Sequence, residues 1–152
     1  MHYDVIVVGA GSMGMAAGYQ LAKAGKHVLI IDRYNPPHDH ASHHGETRII
    51  RYAYGEGQNY VPLLLRAREL WQELEKEVHK ELLVQVGAIN VGRSDSTFMQ
   101  NVITSAKRYE LPLELRNASE TMERFPGMYV PEDFISCFEP TAGFLRVEDC
   151  VQ

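Results

Sequence analysis

The sequence predicts an α/β fold, and three observations carry that prediction. A short apolar run, Asp4-Val-Ile-Val-Val8, breaks directly into Gly9-x-Gly11-x-x-Gly14; a helical stretch closes at Gly25; and a second apolar run, Val28-Leu-Ile-Ile31, ends in Asp32. Together they describe a Rossmann-like β-α-β unit, a buried strand turning sharply into a crossover helix that returns to a parallel neighbour.

The glycines explain the turn. Gly9 allows the tight bend, Gly11 lets a phosphate approach the backbone without a Cβ in the way, and Gly14 lets the helix lie close on the strand. The first free N–H groups of the helix then face whatever sits above the turn, a place suited to a pyrophosphate. Met15 to Gly25 presents Ala16, Leu21 and Ala22 as a sheet-facing stripe. Asp32 stands about 20 residues beyond the glycines, where a carboxylate can accept from a ribose 2′-hydroxyl. It would repel a 2′-phosphate, although Arg33 follows at once. On these residues alone either FAD or NAD is possible, and the simplest alternative is a β-turn-α unit that binds nothing.

No third strand follows Asp32. Residues 34–57 form a long irregular stretch punctuated by Pro36-Pro37 and by glycines at 45, 55 and 57, and a loop of that length in a compact chain is functional or disordered. Thr47 to Tyr54 is dense in large side chains, unlike a solvated linker. His38, His40, His43 and His44 raise a metal reading, but neither a matching cysteine nor a helical His pair frames them, and the reading adopted is no metal. Arg48 and Arg51, three apart, fit one face of a helical turn. Their plainest role is to answer Glu46 and Glu56 at the surface; the sharper one is bidentate capture of a substrate carboxylate.

Scaffold follows. A helix is predicted from about Val61 to Lys80, with Val61, Leu64, Ala67, Trp71, Leu74 and Val78 inward. Leu82 to Gly92 reads as one strand. Asp95 or Ser96 caps a helix running to about Tyr109, with Phe98, Val102, Ile103 and Ala106 inward. Leu113 to Leu115 is a short strand, Ala118 to Phe125 a short helix stopped by Pro126-Gly127, and Phe134 to Phe138 a further strand.

Composition narrows the setting. A 152-residue chain of net charge −5 with 45% apolar residues suits one ordinary domain and suggests no nucleic-acid partner. No apolar run approaches membrane-spanning length, and Asp4 stands where a signal peptide would carry basic residues, so cytoplasm is the expected location and no membrane is expected as a partner. Cys137 and Cys150 are too few for a disulfide framework or a zinc site and read as reduced packing residues.

The run Ser42-His-His-Gly-Glu-Thr-Arg-Ile-Ile-Arg-Tyr-Ala-Tyr-Gly-Glu-Gly57, following the glycine-rich turn, closely resembles the monomeric sarcosine oxidase / N-methyltryptophan oxidase family of FAD-dependent amine oxidases. The resemblance continues through Tyr60-Val-Pro-Leu63, Leu70-Trp71 and Phe138-Glu-Pro-Thr-Ala-Gly-Phe-Leu145, so it covers essentially the whole chain. It implies an oxidase that takes a small N-methyl amine substrate and passes the electrons to O2, giving the demethylated amino acid, formaldehyde and hydrogen peroxide.

Carried over, the resemblance makes Gly9, Gly11, Ser12, Met13, Gly14, Asp32, Arg33, His43, His44, Thr47 and Arg48 the FAD-contacting residues. Gly9, Gly11, Ser12, Met13 and Asp32 would lie at the ADP half, and His44, Thr47 and Arg48 beside the isoalloxazine. His44, Thr47, Arg48 and Arg51 would be catalytic, with Arg51 binding the substrate carboxylate so that the N-methyl carbon lies over the flavin N5 for hydride transfer. The pattern commonly has a histidine where this chain has Tyr52, which implies altered support behind Arg51 and the same reaction class.

The resemblance also implies a division into an FAD-binding unit with its flavin and substrate loop (1–57), part of a mixed-sheet substrate domain (58–138) and a segment returning toward the FAD unit (139–152). Two parallel strands are few for such a unit. The chain therefore reads as an incomplete portion, the remainder of the family pattern bringing the rest of both sheets, the lysine tied to O2 activation and the cysteine bound to the flavin. Neither Cys137 nor Cys150 lies in that part of the pattern. Two other readings remain at this point, a truncated inactive nucleotide-binding module and an NAD-dependent dehydrogenase. A shortened chain with exposed sheet edges would self-associate or meet a complementary C-terminal fragment.

Overall fold

The computed structural model describes residues 2–152, which divide into two units, residues up to 48 with 145–152, and residues 49–144. In the first, β1 (Val5–Val8) and β2 (Val28–Ile31) pair in parallel with Val5 opposite Val28 and Val8 opposite Ile31. α1 (Ser12–Lys23) is the crossover between them. β-Branched residues fill seven of the eight strand positions, the composition of a strand meant to be covered on both faces. Only one face is covered: Val5 and Val7 are partly buried, whereas Ile6 and Val8 are 57% and 81% exposed.

β3 (Thr47–Ile50) follows the long loop. Its residues are extended, so Arg48 and Arg51 do not share a helical turn; the β-branched Thr47, Ile49 and Ile50 favour a strand over a helix there.

The second unit opens with a 3-10 turn, Gln58–Tyr60, leading into α2 (Val61–Val78), which stops at His79 in the left-handed conformation, two residues short of the end predicted from periodicity. Only Val61 of the predicted stripe is fully buried; Leu64, Ala67, Trp71 and Leu74 are half-buried and Val78 is exposed. The single strand predicted over 82–92 is two, β4 (Leu83–Val84) and β5 (Ala88–Arg93), because the chain turns at Gly87 with φ +80° and its amide leaves to bond the Ala142 carbonyl at 2.8 Å.

α3 (Thr97–Arg108) begins at Ser96, whose Oγ accepts from the Met99 amide. β6 (Glu114–Asn117) runs into α4 (Ala118–Arg124) through a reciprocal cap between Asn117 and Glu120. β7 (Phe134–Glu139) is the central strand of an antiparallel sheet ordered β5-β7-β6, with Asn90 and Leu115 both opposite Cys137. The inward face of α3 packs on that sheet, and Met99, Val102, Ala106, Cys137 and Ala53 form the core. Burial pushes the Cys137 thiol up to about 11. β8 (Gly143–Arg146), unforeseen in the sequence, lies beside β4, and α5 (Val147–Val151) closes the chain against α1.

Candidate functional site

In the first unit the glycine-rich turn behaves as its spacing requires. Gly9 takes φ +104°, and its amide donates to the Ile31 carbonyl at 2.7 Å, tying the turn to β2. A Cβ at Gly14 would overlap the Gly9 carbonyl oxygen, so helix and turn are as close as backbone permits.

Gly11 caps α1 without any side-chain hydrogen bond, and no acidic residue occupies the first turn, leaving the positive end of the helix unneutralised by a carboxylate. One amide there has a partner: Ser12 N–H donates to Nδ1 of His43 at 3.2 Å. Because Nδ1 accepts, the ring proton of neutral His43 lies on Nε2, an assignment by hydrogen-bond logic. His43 is 7% exposed, and its Nε2 is buried without a hydrogen-bond partner. A buried N–H donor with nothing to donate to therefore stands beside the amino end of α1. Met13 projects outward at 84% exposure.

Asp32 is engaged by its own unit. The Ala10 amide donates to Oδ2 at 2.6 Å and the Tyr34 amide to Oδ1 at 2.8 Å. Those two backbone bonds, Tyr34 first, hold its carboxyl below the ordinary value of 3.8, with His38 adding a little. Nε2 of His38 lies 3.3 Å from Oδ1 but lacks hydrogen-bond geometry, so it is an ion pair only when the ring is protonated. His40 stacks on Tyr34 at 3.9 Å between centroids, and the Arg33 guanidinium lies 5.5 Å from the same ring. Among the described residues no group of three or more His, Cys, Asp or Glu is arranged to hold a metal ion.

Arg48 does not answer Glu46. Its guanidinium donates to the carbonyls of Thr47 at 2.8 Å, His44 at 2.7 Å and Ser42 at 3.2 Å, and so ties the histidine loop to β3.

Arg51 belongs to the second unit and does pair with Glu56. Its guanidinium lies 5.1 Å from the centroid of Tyr54 and 5.8 Å from that of Phe98, and its Nε is buried without a partner. Gly55 makes this packing possible, since a Cβ there would stand 2.5 Å from the Phe98 ring. Tyr52, the departure from the family pattern, is fully buried with the Arg68 guanidinium 5.5 Å from its ring centroid.

Three residues not singled out in the sequence hold this segment. Glu139, fully buried, accepts from the amides of Tyr52 and Ala53; Asn101 donates to the Gly55 carbonyl at 2.9 Å, and Ser105 to the Tyr54 carbonyl at 2.9 Å. A signal for each was present, an acid closing the apolar run 134–138 and polar residues at i and i+4 near the inward face of α3.

The family model described as FAD dependent oxidoreductase matches residues 4–152. Monomeric sarcosine oxidase from Bacillus sp. (strain B-0618) is 51% identical over 152 residues, covering 99% of this chain and 39% of that protein. N-methyl-L-tryptophan oxidase from Yersinia pestis (strain Pestoides F) is likewise 51% identical, over 100% of this chain and 41% of its own. Among solved structures, NikD, an unusual amino acid oxidase essential for nikkomycin biosynthesis, superposes with a TM-score of 0.86 at 25% identity over 98% of this chain and 39% of its own. Glycine oxidase from Geobacillus kaustophilus shares the fold at a TM-score of 0.76 and 23% identity, over 98% of this chain and 42% of its own. The chain thus spans about two-fifths of the length of the curated relatives it matches.

Proposed function

The chain belongs to the FAD dependent oxidoreductase family, whose cofactor is FAD, and from that premise we propose that the protein oxidatively demethylates sarcosine or a related N-methyl amino acid. O2 and water are consumed, and the demethylated amino acid, formaldehyde and hydrogen peroxide are formed. Identity of 51% with both a sarcosine oxidase and an N-methyl-L-tryptophan oxidase supports this substrate class. The observation that carries the reading is the amino end of α1, where open N–H groups stand beside the buried, unpartnered Nε2–H of His43. Such a donor set suits a diphosphate.

In this reading Gly9, Gly11, Ser12, Met13, Gly14 and His43 hold the diphosphate, and Asp32, kept ionised by the amides of Tyr34 and Ala10, accepts from the ribose, with Arg33 beside it. His44, Thr47 and Arg48 lie against the flavin. The bound cofactor supplies the redox chemistry, taking two electrons and returning them to O2. The residues of the chain orient and neutralise. Arg48, a fixed cation on three carbonyls, offsets negative charge at the reduced ring. Arg51 binds the substrate carboxylate; its pairing with Glu56 supports a preference of that guanidinium for a carboxylate partner. We assign residues 1–57 to cofactor and substrate loop, 58–138 to the substrate domain and 139–152 to the return segment.

The exposed Ile6 and Val8 favour completion of the β1-β2 sheet by further chain, in keeping with the greater length of the relatives. Neither Cys137 nor Cys150 is in a disulfide, which fits a reducing, cytoplasmic setting. The test is direct: the product of the natural open reading frame is purified, its visible spectrum recorded, and peroxide measured on adding sarcosine. A yellow protein that forms peroxide bears the proposal out; a colourless one that neither binds added FAD nor forms peroxide defeats it.

A further inference from the structure

Resting on the reading of Arg51 as the carboxylate clamp, we infer that Glu139 is the positioning residue that aims it. Glu139 is the last residue of β7 and has no exposed surface. Its carboxylate takes the Tyr52 amide on both oxygens at 3.1 Å, the Ala53 amide on Oε2 at 3.0 Å and the Thr141 hydroxyl on Oε1 at 3.3 Å. Those amides belong to the two peptides that follow Arg51. Holding the Arg51–Tyr52 peptide plane, with the next plane behind it, narrows the directions in which the Cα–Cβ bond of Arg51 can leave the backbone.

The opposite side of the segment is held as firmly. Asn101 and Ser105, one turn apart on α3, take the carbonyls of Gly55 and Tyr54, so residues 52–55 hang between a carboxylate and a helix. Between these anchors the guanidinium lies against Tyr54 and Phe98. A neutral acceptor would serve simple packing at lower cost, because a carboxylate removed from water carries a desolvation penalty. Burial indeed pushes the Glu139 carboxyl above its ordinary value, opposed by the amides of Ala53 and Tyr52, the Thr141 hydroxyl and Arg51. What the carboxyl group adds is direction, since its two oxygens take two successive amides and the Thr141 hydroxyl from one fully buried side chain. That suits a residue whose task is to prevent the clamp from drifting.

The test uses the holoprotein from the natural open reading frame, with Glu139→Gln, Glu139→Asp and Arg51→Lys compared on steady-state kinetics with sarcosine and on hydrogen–deuterium exchange. Gln keeps the shape but removes the charge and leaves one acceptor oxygen where Glu139 has two. The expected result is a KM raised roughly tenfold or more, the scale of one hydrogen bond to a charged group, with kcat and flavin content little changed. Exchange at Tyr52 and Ala53 is faster in Glu139→Gln and partly restored in Glu139→Asp. A raised KM in Arg51→Lys beside an unchanged KM and protected amides in Glu139→Gln overturns the inference. An unchanged KM in both variants, with faster exchange at the two amides in Glu139→Gln, overturns the clamp reading and leaves the tether standing. If Glu139→Gln does not fold, Thr141→Val and Ser105→Ala loosen the same segment, and an unaltered KM in both overturns the inference.

Discussion

The Ser12 amide donates to Nδ1 of His43 at 3.2 Å, across 31 residues of sequence, and this one bond both caps α1 and orients a second donor beside it. The imidazole stands where α1 has no side-chain cap of its own. His43 is the one histidine of the loop so bound: His38 faces Asp32, and His40 stacks on Tyr34.

Replacing His43 with Ala removes the buried donor and the Ser12 acceptor together. FAD affinity is expected to fall by roughly tenfold, the worth of one charge-assisted hydrogen bond. Quenching of flavin fluorescence on titration into the apoprotein measures it, and a dissociation constant within twofold of the parent would count against the assigned role.

Gly14→Ala places a methyl group on the Gly9 carbonyl oxygen, where only backbone can yield. A stability loss of about 1–3 kcal/mol follows from such overpacking, together with weaker FAD binding as the turn shifts. A melting temperature equal to that of the parent protein would show that helix and strand separate at little cost.

Asp32 governs part of the acid limb of stability. Its folded pKa lies below 3.8, so in the native state it binds a proton less readily than in the unfolded chain. Its contribution is therefore present above 3.8 and lost as pH falls through the lowered folded value. Urea unfolding across that range should show a shallower pH dependence in Asp32→Asn than in the parent; identical slopes would mean that the Tyr34 and Ala10 amides do not select the charged form.

Cys137 combines zero exposure with a thiol pushed up to about 11. An alkylating reagent at neutral pH should leave it unmodified in the native protein and label it on unfolding, because the thiolate is the reactive form. Mass spectrometry of the peptide carrying Cys137 reads the result, and native-state labelling at the rate of a free thiol would contradict the packing described for β7.

Local periodicity and turn chemistry carried a large part of the architecture. Strand β1, the glycine turn, α1 and β2 are each specified within a dozen residues, and the Ser96 cap and the helix after Asn117 are written in neighbouring side chains. The break between β4 and β5 is hidden in the sequence because alternation continues across Gly87, and only the amide of that residue, bonded to Ala142, reveals it. The arginine pair is ambiguous for a related reason, since a spacing of three is compatible with a helical turn until β-branched neighbours force extension.

From residues alone one could read the β-α-β unit, its phosphate-ready turn, the acid at the end of β2 and, through resemblance, the class of cofactor. The folded molecule alone revealed that His43 reaches Ser12, that Arg48 spends its donors on its own loop, and that Glu139 holds the backbone behind Arg51. The reason is range. Strand, turn and cap signals act between residues a few positions apart, whereas Glu139 and Tyr52 are separated by 87 positions and meet only after β7 and the Arg51 segment have been brought together.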